Sequence, residues 1–206
     1  MRYWKWVVLA AAWSTAVGSG LWALFDYEMT PGIVAASPDR WPAGSVLRPD
    51  PRYPTVVMFV HPHCPCTRAS LHELLVLATH CGGQMKPIVV FLKPRGFEHN
   101  WEKTDLWETA GSIPGATCFS DVDGTETARF QALVSGETLM YDAAGNLLFH
   151  GGITGSRGHQ GDNAGRSAIE SFLAGEPVAL RHTPVFGCSL RERNGSLPLG
   201  PRPASP

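Results

Sequence analysis

The sequence predicts an α/β fold: a central mixed sheet with flanking helices, preceded by one N-terminal transmembrane helix. Three observations carry this. Two short apolar runs, Thr55 to Val60 and Pro87 to Leu92, have the unbroken character of strands covered on both faces. Between them Leu71, Leu74, Leu75 and Ala78 recur at helical spacing. Far upstream, the uncharged stretch from Trp6 to Phe25 has the length of about 20 residues that a helix needs to cross a bilayer.

The 206 residues suffice for one globular domain with extensions. Net charge is −1 and no Lys/Arg run stands out, which argues against nucleic acid as a partner. Arg2 and Lys5 precede the apolar stretch, Trp4, Trp6 and Trp22 lie near its ends, and Asp26 and Glu28 follow it. Basic residues stay on the cytoplasmic side. The expectation is therefore an anchor in the cytoplasmic (inner) membrane, with the C-terminal domain on the periplasmic or other extracytoplasmic side. A cleaved signal peptide, with Ala16 to Gly20 as a weak cleavage segment, and a buried core helix are the rivals. The chain divides into an anchor (1–26), a Pro-rich tether (27–54) expected to hold the domain off the membrane, a folded domain (55–175) and a Pro/Gly-rich tail (176–206) expected to be disordered.

Within the domain, Pro62 stops the first strand and Pro65 suits the first turn of a helix, where its missing N–H costs nothing. That helix should end near Thr79, before Gly82 and Gly83. Pro87 to Leu92 follows as a parallel neighbour of the first strand, joined through a right-handed crossover. A short helix over Thr104 to Ala110, a strand over Ala116 to Phe119 and a helix over Asp123 to Leu133, with Phe130 and Leu133 inward, come next. Glu137 to Tyr141 and Leu147 to Phe149 flank Asp142-Ala143-Ala144-Gly145-Asn146, a hairpin signal. Ala164 to Ala174, ended by Gly175, closes the domain. The order β-α-β-α-β-α-β-β-α is the thioredoxin arrangement with an inserted strand and helix.

Val60 to Leu74 resembles the active-site region of membrane-tethered thioredoxin-like thiol–disulfide oxidoreductases, of a RedB-like branch. The matching residues are Cys64, Pro65, Arg68, Ala69, Leu71, Glu73 and Leu74, and Thr138 to Asp142 with Gly145 matches the hairpin. The resemblance covers roughly residues 50 to 175. It implies redox-active cysteines, no required cofactor, and protein thiols or disulfides as partners. Three departures stand out. The family's second Cys falls on Thr67, while this chain has Cys66 one residue earlier. His63 replaces the usual Trp. The family's cis-Pro falls near Gly136, within Ser135-Gly136.

The chemistry should centre on His61-Pro62-His63-Cys64-Pro65-Cys66. A cysteine where a strand gives way to a helix start meets unpaired N–H groups and a positive dipole end, which favour a thiolate. His61, His63 and Arg68 are expected to add positive charge. Cys64 and Cys66 are the catalytic candidates, with Pro65 and Thr67 beside them. In a regular helix, positions two apart point about 200° away from each other. A 64–66 disulfide thus needs Cys64 outside the helical turn, and would be strained. Cys188, beyond the last helix, is the candidate third, resolving thiol. Cys81 and Cys118 read as structural. The glycine-rich stretch from Gly151 to Asn163 should border the site, bringing Arg157, His159 and Asp162, with Asp162 or Asn163 capping the last helix instead as the plainer reading.

The favoured function is thiol–disulfide exchange. The alternative is a copper chaperone holding Cu(I) with Cys64 and Cys66, since thiolates suit Cu(I), and with His63, or else His61 or His159, completing the site. A non-catalytic binding module and a peroxidase complete the range.

Overall fold

A computed structural model describes residues 2–97, 99–178 and 180–190. The elements run α1 (Arg2–Met29), β1 (Thr55–Val60), α2 (Thr67–His80), β2 (Lys86–Lys93), α3 (Asp105–Gly111), β3 (Thr117–Val122), α4 (Thr125–Arg129), β4 (Glu137–Tyr141), β5 (Leu147–Gly151) and α5 (Ala164–Ala174). The element order is the expected one. The sheet order is β3-β2-β1-β4-β5. β1 pairs parallel to β2 and antiparallel to β4. β3 is parallel to β2, and β5 antiparallel to β4. This is a thioredoxin-like fold.

β1 is central, and every one of its residues is buried. Its alternating side chains feed two cores. Val56, Met58 and Val60 join Leu71, Leu74 and Leu77 of α2, Leu106 of α3 and Ile169 of α5 on one face. Val57 and Phe59 join Val90, Phe130, Leu139, Tyr141 and Leu190 on the other.

The α4 helix is far shorter than the expected span to Leu133. Gly124 stands left-handed at its start, and Gln131, at φ 58°, turns the chain out of the helix. Phe130 is buried, but by the turn rather than by a helix. β3 extends to Val122, beyond the expected Phe119.

Two segments expected to be loose are part of the domain. In the tether, the Leu147 N–H donates to Asp39 and the Trp41 N–H to Gly145. Trp41 packs edge-on against Phe130 and Tyr141, with ring centroids 5.1 and 5.2 Å away. Leu47 is buried. Proline-rich composition made the segment read as a linker, whereas its Trp and Leu anchor it.

The described part of the tail, 180–190, is likewise bound. The His150 N–H donates to Arg181, and the Thr183 hydroxyl to Gly152, so the chain runs beside β5. It then crosses the sheet end and pairs antiparallel with the segment before β4. There the Ser135 N–H donates to Cys188 (2.8 Å) and the Leu190 N–H to Leu133 (2.7 Å), with a bridge between Val134 and Ser189. Val185, Phe186 and Leu190 of this strap are buried. Residues 191–206 lie outside the described residues.

α1 is long and apolar enough to cross a membrane. At 28 residues it spans about 42 Å. Trp6, Trp13, Leu21, Trp22 and Phe25 are open to the surroundings, so the domain supplies no cover for them.

Leu190 tests whether the strap is structural. Its side chain is 0% exposed and belongs to the second core. Leu190→Ala should cost about 2–5 kcal/mol, read as a lower denaturant midpoint with unchanged slope. In a disordered tail the same change would move nothing.

Candidate functional site

The site forms where β1 ends. Past Val60, the Ser135 hydroxyl accepts from the His61 N–H (2.8 Å) and lies 2.8 Å from the Thr67 hydroxyl. This ties the β1–α2 junction to the loop before β4. The Cys64 N–H donates to His61 and the Thr67 N–H to Cys64, so residues 64–67 wind as a tight turn leading into α2. Pro65 stands within that turn and Cys66 at the cap of α2.

The loop before β4 is held by a carboxylate that sequence reading missed. Glu137 is 0% exposed; its Oε2 accepts from the Leu133 and Val134 N–H groups, and His150 Nε2 lies 2.8 Å from its Oε1. Charged residues inside strands are seldom buried, and that rarity was the only signal at Glu137. In place of the family's cis-Pro, Gly136 adopts φ 91°, and its N–H donates to Phe59. No cis peptide occurs among the described residues.

Cys64, Cys66 and Cys188 come together, all three as free thiols. Cys64 is 2% and Cys66 8% exposed, while Cys188 is partly open. The Cys64 thiol is lowered from 9.0 to about 5. The largest cause is a hydrogen bond from the Cys188 thiol; burial opposes it, and the Cys188 and Cys66 N–H groups and the Thr67 hydroxyl add to it. Cys188 is pushed up by the same hydrogen bond and by burial. Burial, the Cys64 charge and a hydrogen bond between the two side chains push Cys66 up as well. The cluster thus holds one negative charge, resting on Cys64.

The surrounding charges differ from expectation. Burial and the neighbouring His63 hold His61 down to about 4, so its imidazole is neutral at physiological pH and adds no positive charge. Its Nδ1 accepts from the His63 N–H. The His63 ring turns to the Trp101 carbonyl (3.1 Å) and packs against the Trp101 ring. Arg68 pairs with Asp105 of α3 instead of facing Cys64. His63, Arg68 and Asp105, with Pro65 and Leu106, border a groove of ≈ 200 Å³ beside Cys64.

Of the glycine-rich loop, only Arg157 reaches the sulfurs. It hydrogen-bonds Cys66, and its charge also favours the Cys188 thiolate. Its Nη1 donates to the Gly187 carbonyl (2.6 Å) and its Nε to Tyr27 of α1 (3.1 Å). His159 turns instead to Ser156 and Glu28, and Asp162 to Arg166 of α5. Asn163 caps α5. Cys81 and Cys118 lie elsewhere, their thiols raised mainly by burial.

Among the described residues, no group of three or more His, Cys, Asp or Glu side chains is arranged to hold a metal ion.

No family model matches the chain, and no curated protein matches it. Among solved structures it is similar to a hypothetical protein of Sinorhizobium meliloti 1021, at 18% identity and TM-score 0.56, over 78% of this chain and 93% of that one. It is similar also to an uncharacterized conserved protein of Geobacillus kaustophilus, at 21% identity and TM-score 0.57, over 80% and 93%. A secreted disulfide oxidoreductase of Mycobacterium tuberculosis matches more distantly, at 15% identity and TM-score 0.41, over 60% and 81%. The first two likenesses, at these identities, bear on the fold alone and distinguish no branch within it.

Thiolate absorbance of the reduced chain should show a first titration with midpoint about 5. Cys188→Ala removes the strongest donor and should move that midpoint upward. A group whose folded pKa lies below its unfolded value stabilises the folded state at high pH. Relative to Cys64→Ala, the reduced protein should therefore gain stability as pH rises from about 5 to 9.0 and lose it as pH falls through about 5.

Proposed function

We propose that this protein is a membrane-tethered thiol–disulfide oxidoreductase acting outside the cytoplasm, with Cys64 as its reactive thiolate. One observation carries the reading. Donors from Cys188, Cys66 and Thr67 converge on a sulfur at a strand-to-helix junction and acidify it to about 5. The thiolate, not the thiol, is the species that exchanges with disulfides.

The exchange needs two sulfurs. Cys64 and a second cysteine of the cluster pass between dithiol and disulfide, while a partner protein makes the opposite change. Two electrons move, and no cofactor takes part. Arg157 and Ser135 are positioning residues: Arg157 holds Cys66 and the strap, and Ser135 holds the backbone on either side of the sulfurs.

The location rests on α1. Arg2 and Lys5 precede its apolar stretch, and Asp26 and Glu28 lie at its other end. With the basic end retained in the cytoplasm, the thiol domain faces the other side of the membrane.

Cys64→Ser should reduce exchange with a chromogenic aromatic disulfide to the uncatalysed background. Cys81→Ser and Cys118→Ser should leave it unchanged. Exchange that survives Cys64→Ser would remove the basis of this reading, and a function that persists without any of the three clustered thiols would point to a binding module.

A further inference from the structure

We infer that the working disulfide joins Cys64 to Cys188, and that Cys188 is the sulfur a partner thiol attacks. The inference rests on the oxidoreductase reading and specifies its second cysteine and its point of contact.

The two sulfurs belong to different elements, and the fold presses those elements together. Residues 188–190 pair antiparallel with 133–135, so Cys188 is held at the mouth of the β1–α2 junction by the bond from the Ser135 N–H to its carbonyl and by the neighbouring bond from Leu190 to Leu133. The seat is made for this segment. A Cβ on Gly187 would stand 1.9 Å from the Ser135 carbonyl oxygen, so only glycine lets the strap approach so closely. Arg157 fastens the Gly187 carbonyl from the far side. Val185, Phe186 and Leu190 anchor the ends in the domain. A segment fastened this way is a fixed wall of the site.

The local pair is less suited. Residues 64–67 form one tight turn, closed by the Thr67 N–H on the Cys64 carbonyl, and the Cys66 thiol also hydrogen-bonds Cys64, so the two sulfurs are neighbours; a bond between positions two apart inside that turn is nonetheless strained. Closing a 64–66 bond would require that turn to open. Cys188 approaches from outside it, and its thiol already donates to the Cys64 sulfur.

Exposure sets the direction of attack. Cys64 and Cys66 are buried, while Cys188 is partly open. In the oxidised protein, a thiolate of a dithiol partner attacks Cys188 Sγ. The Cys64–Cys188 bond breaks, and Cys64 leaves as a thiolate. Leaving is faster for the more acidic sulfur. The partner's second thiolate then attacks its own sulfur in the mixed disulfide, closing the partner's disulfide and releasing Cys188. Cys188 takes up one proton and restores its hydrogen bond to Cys64. The partner loses two electrons and two protons; the protein gains both electrons and one proton, and the other proton goes to solvent.

The full chain, oxidised with glutathione disulfide and digested without reductant, should yield a peptide pair joining Cys64 to Cys188. Brief exposure to reduced glutathione followed by acid quenching should leave the glutathione adduct on Cys188. Cys188→Ser should abolish this crosslink, and Cys66→Ser should retain it. A Cys64–Cys66 disulfide, or an adduct on Cys64 reached through the groove beside His63 and Arg68, would overturn the inference while leaving the oxidoreductase reading in place. No disulfide at Cys64 under any of these conditions would overturn both.

Discussion

Three main-chain segments meet over one sulfur: the turn that opens α2, the loop that opens β4, and the strap formed by residues 181–190. Their meeting depends on the antiparallel pairing of Cys188–Leu190 with Leu133–Ser135. Without it, Cys64 would keep the helix N-terminus and the Thr67 hydroxyl but lose its strongest hydrogen-bond donor and its cover. The pairing in turn needs the 133–135 loop to hold its shape. That is the work of Glu137, a buried carboxylate that accepts two of the loop's N–H groups and has His150 at its other oxygen. An unpaired carboxylate at this depth would be costly. With three polar partners it serves as a clamp, and the charge of the sulfur cluster is set a few residues away by the geometry it maintains.

The chain has one negative charge to place among three sulfurs and little positive charge near them. His61 is neutral and Arg68 is engaged with Asp105. The charge rests where hydrogen bonds converge, on the most buried thiol, and Arg157 serves the two outer ones. Stabilisation by directed donors is less sensitive to salt than stabilisation by exposed cations, so the acidity of Cys64 is built into the fold more than into the surface.

Much of this arrangement was legible from residues near each other in sequence. The bounds of β1 and α5 are those that periodicity and turn residues define, and the CPC turn falls at the strand-to-helix junction. The glycine-rich loop does deliver Arg157 to the sulfurs. What escaped is non-local. Val185, Phe186 and Leu190 show no strand or helix period, interrupted as they are by Pro184 and Gly187, and only their cross-chain partners reveal them as a packed strap. Trp41 and Leu47 vanished in the same way behind a proline-rich composition. The 123–133 helix erred in the other direction: its apolar spacing was helical, but the left-handed Gln131 is decided by the turn into Ala132 and not by any pattern.

Arg157 has one more neighbour whose importance is spatial. Its N–H donates to the Glu28 carbonyl and its guanidinium lies over the Tyr27 ring, 4.9 Å from the centroid, so the last turn of α1 rests directly on the loop that bounds the sulfurs. The domain is therefore not a float on a long leash. On the proposed reading of α1 as a membrane span, this contact keeps the thiol domain close against the membrane surface. On that same reading, partners would meet it within a thin lateral layer, where encounter is governed by two-dimensional diffusion and by which cysteines another protein exposes at that same height.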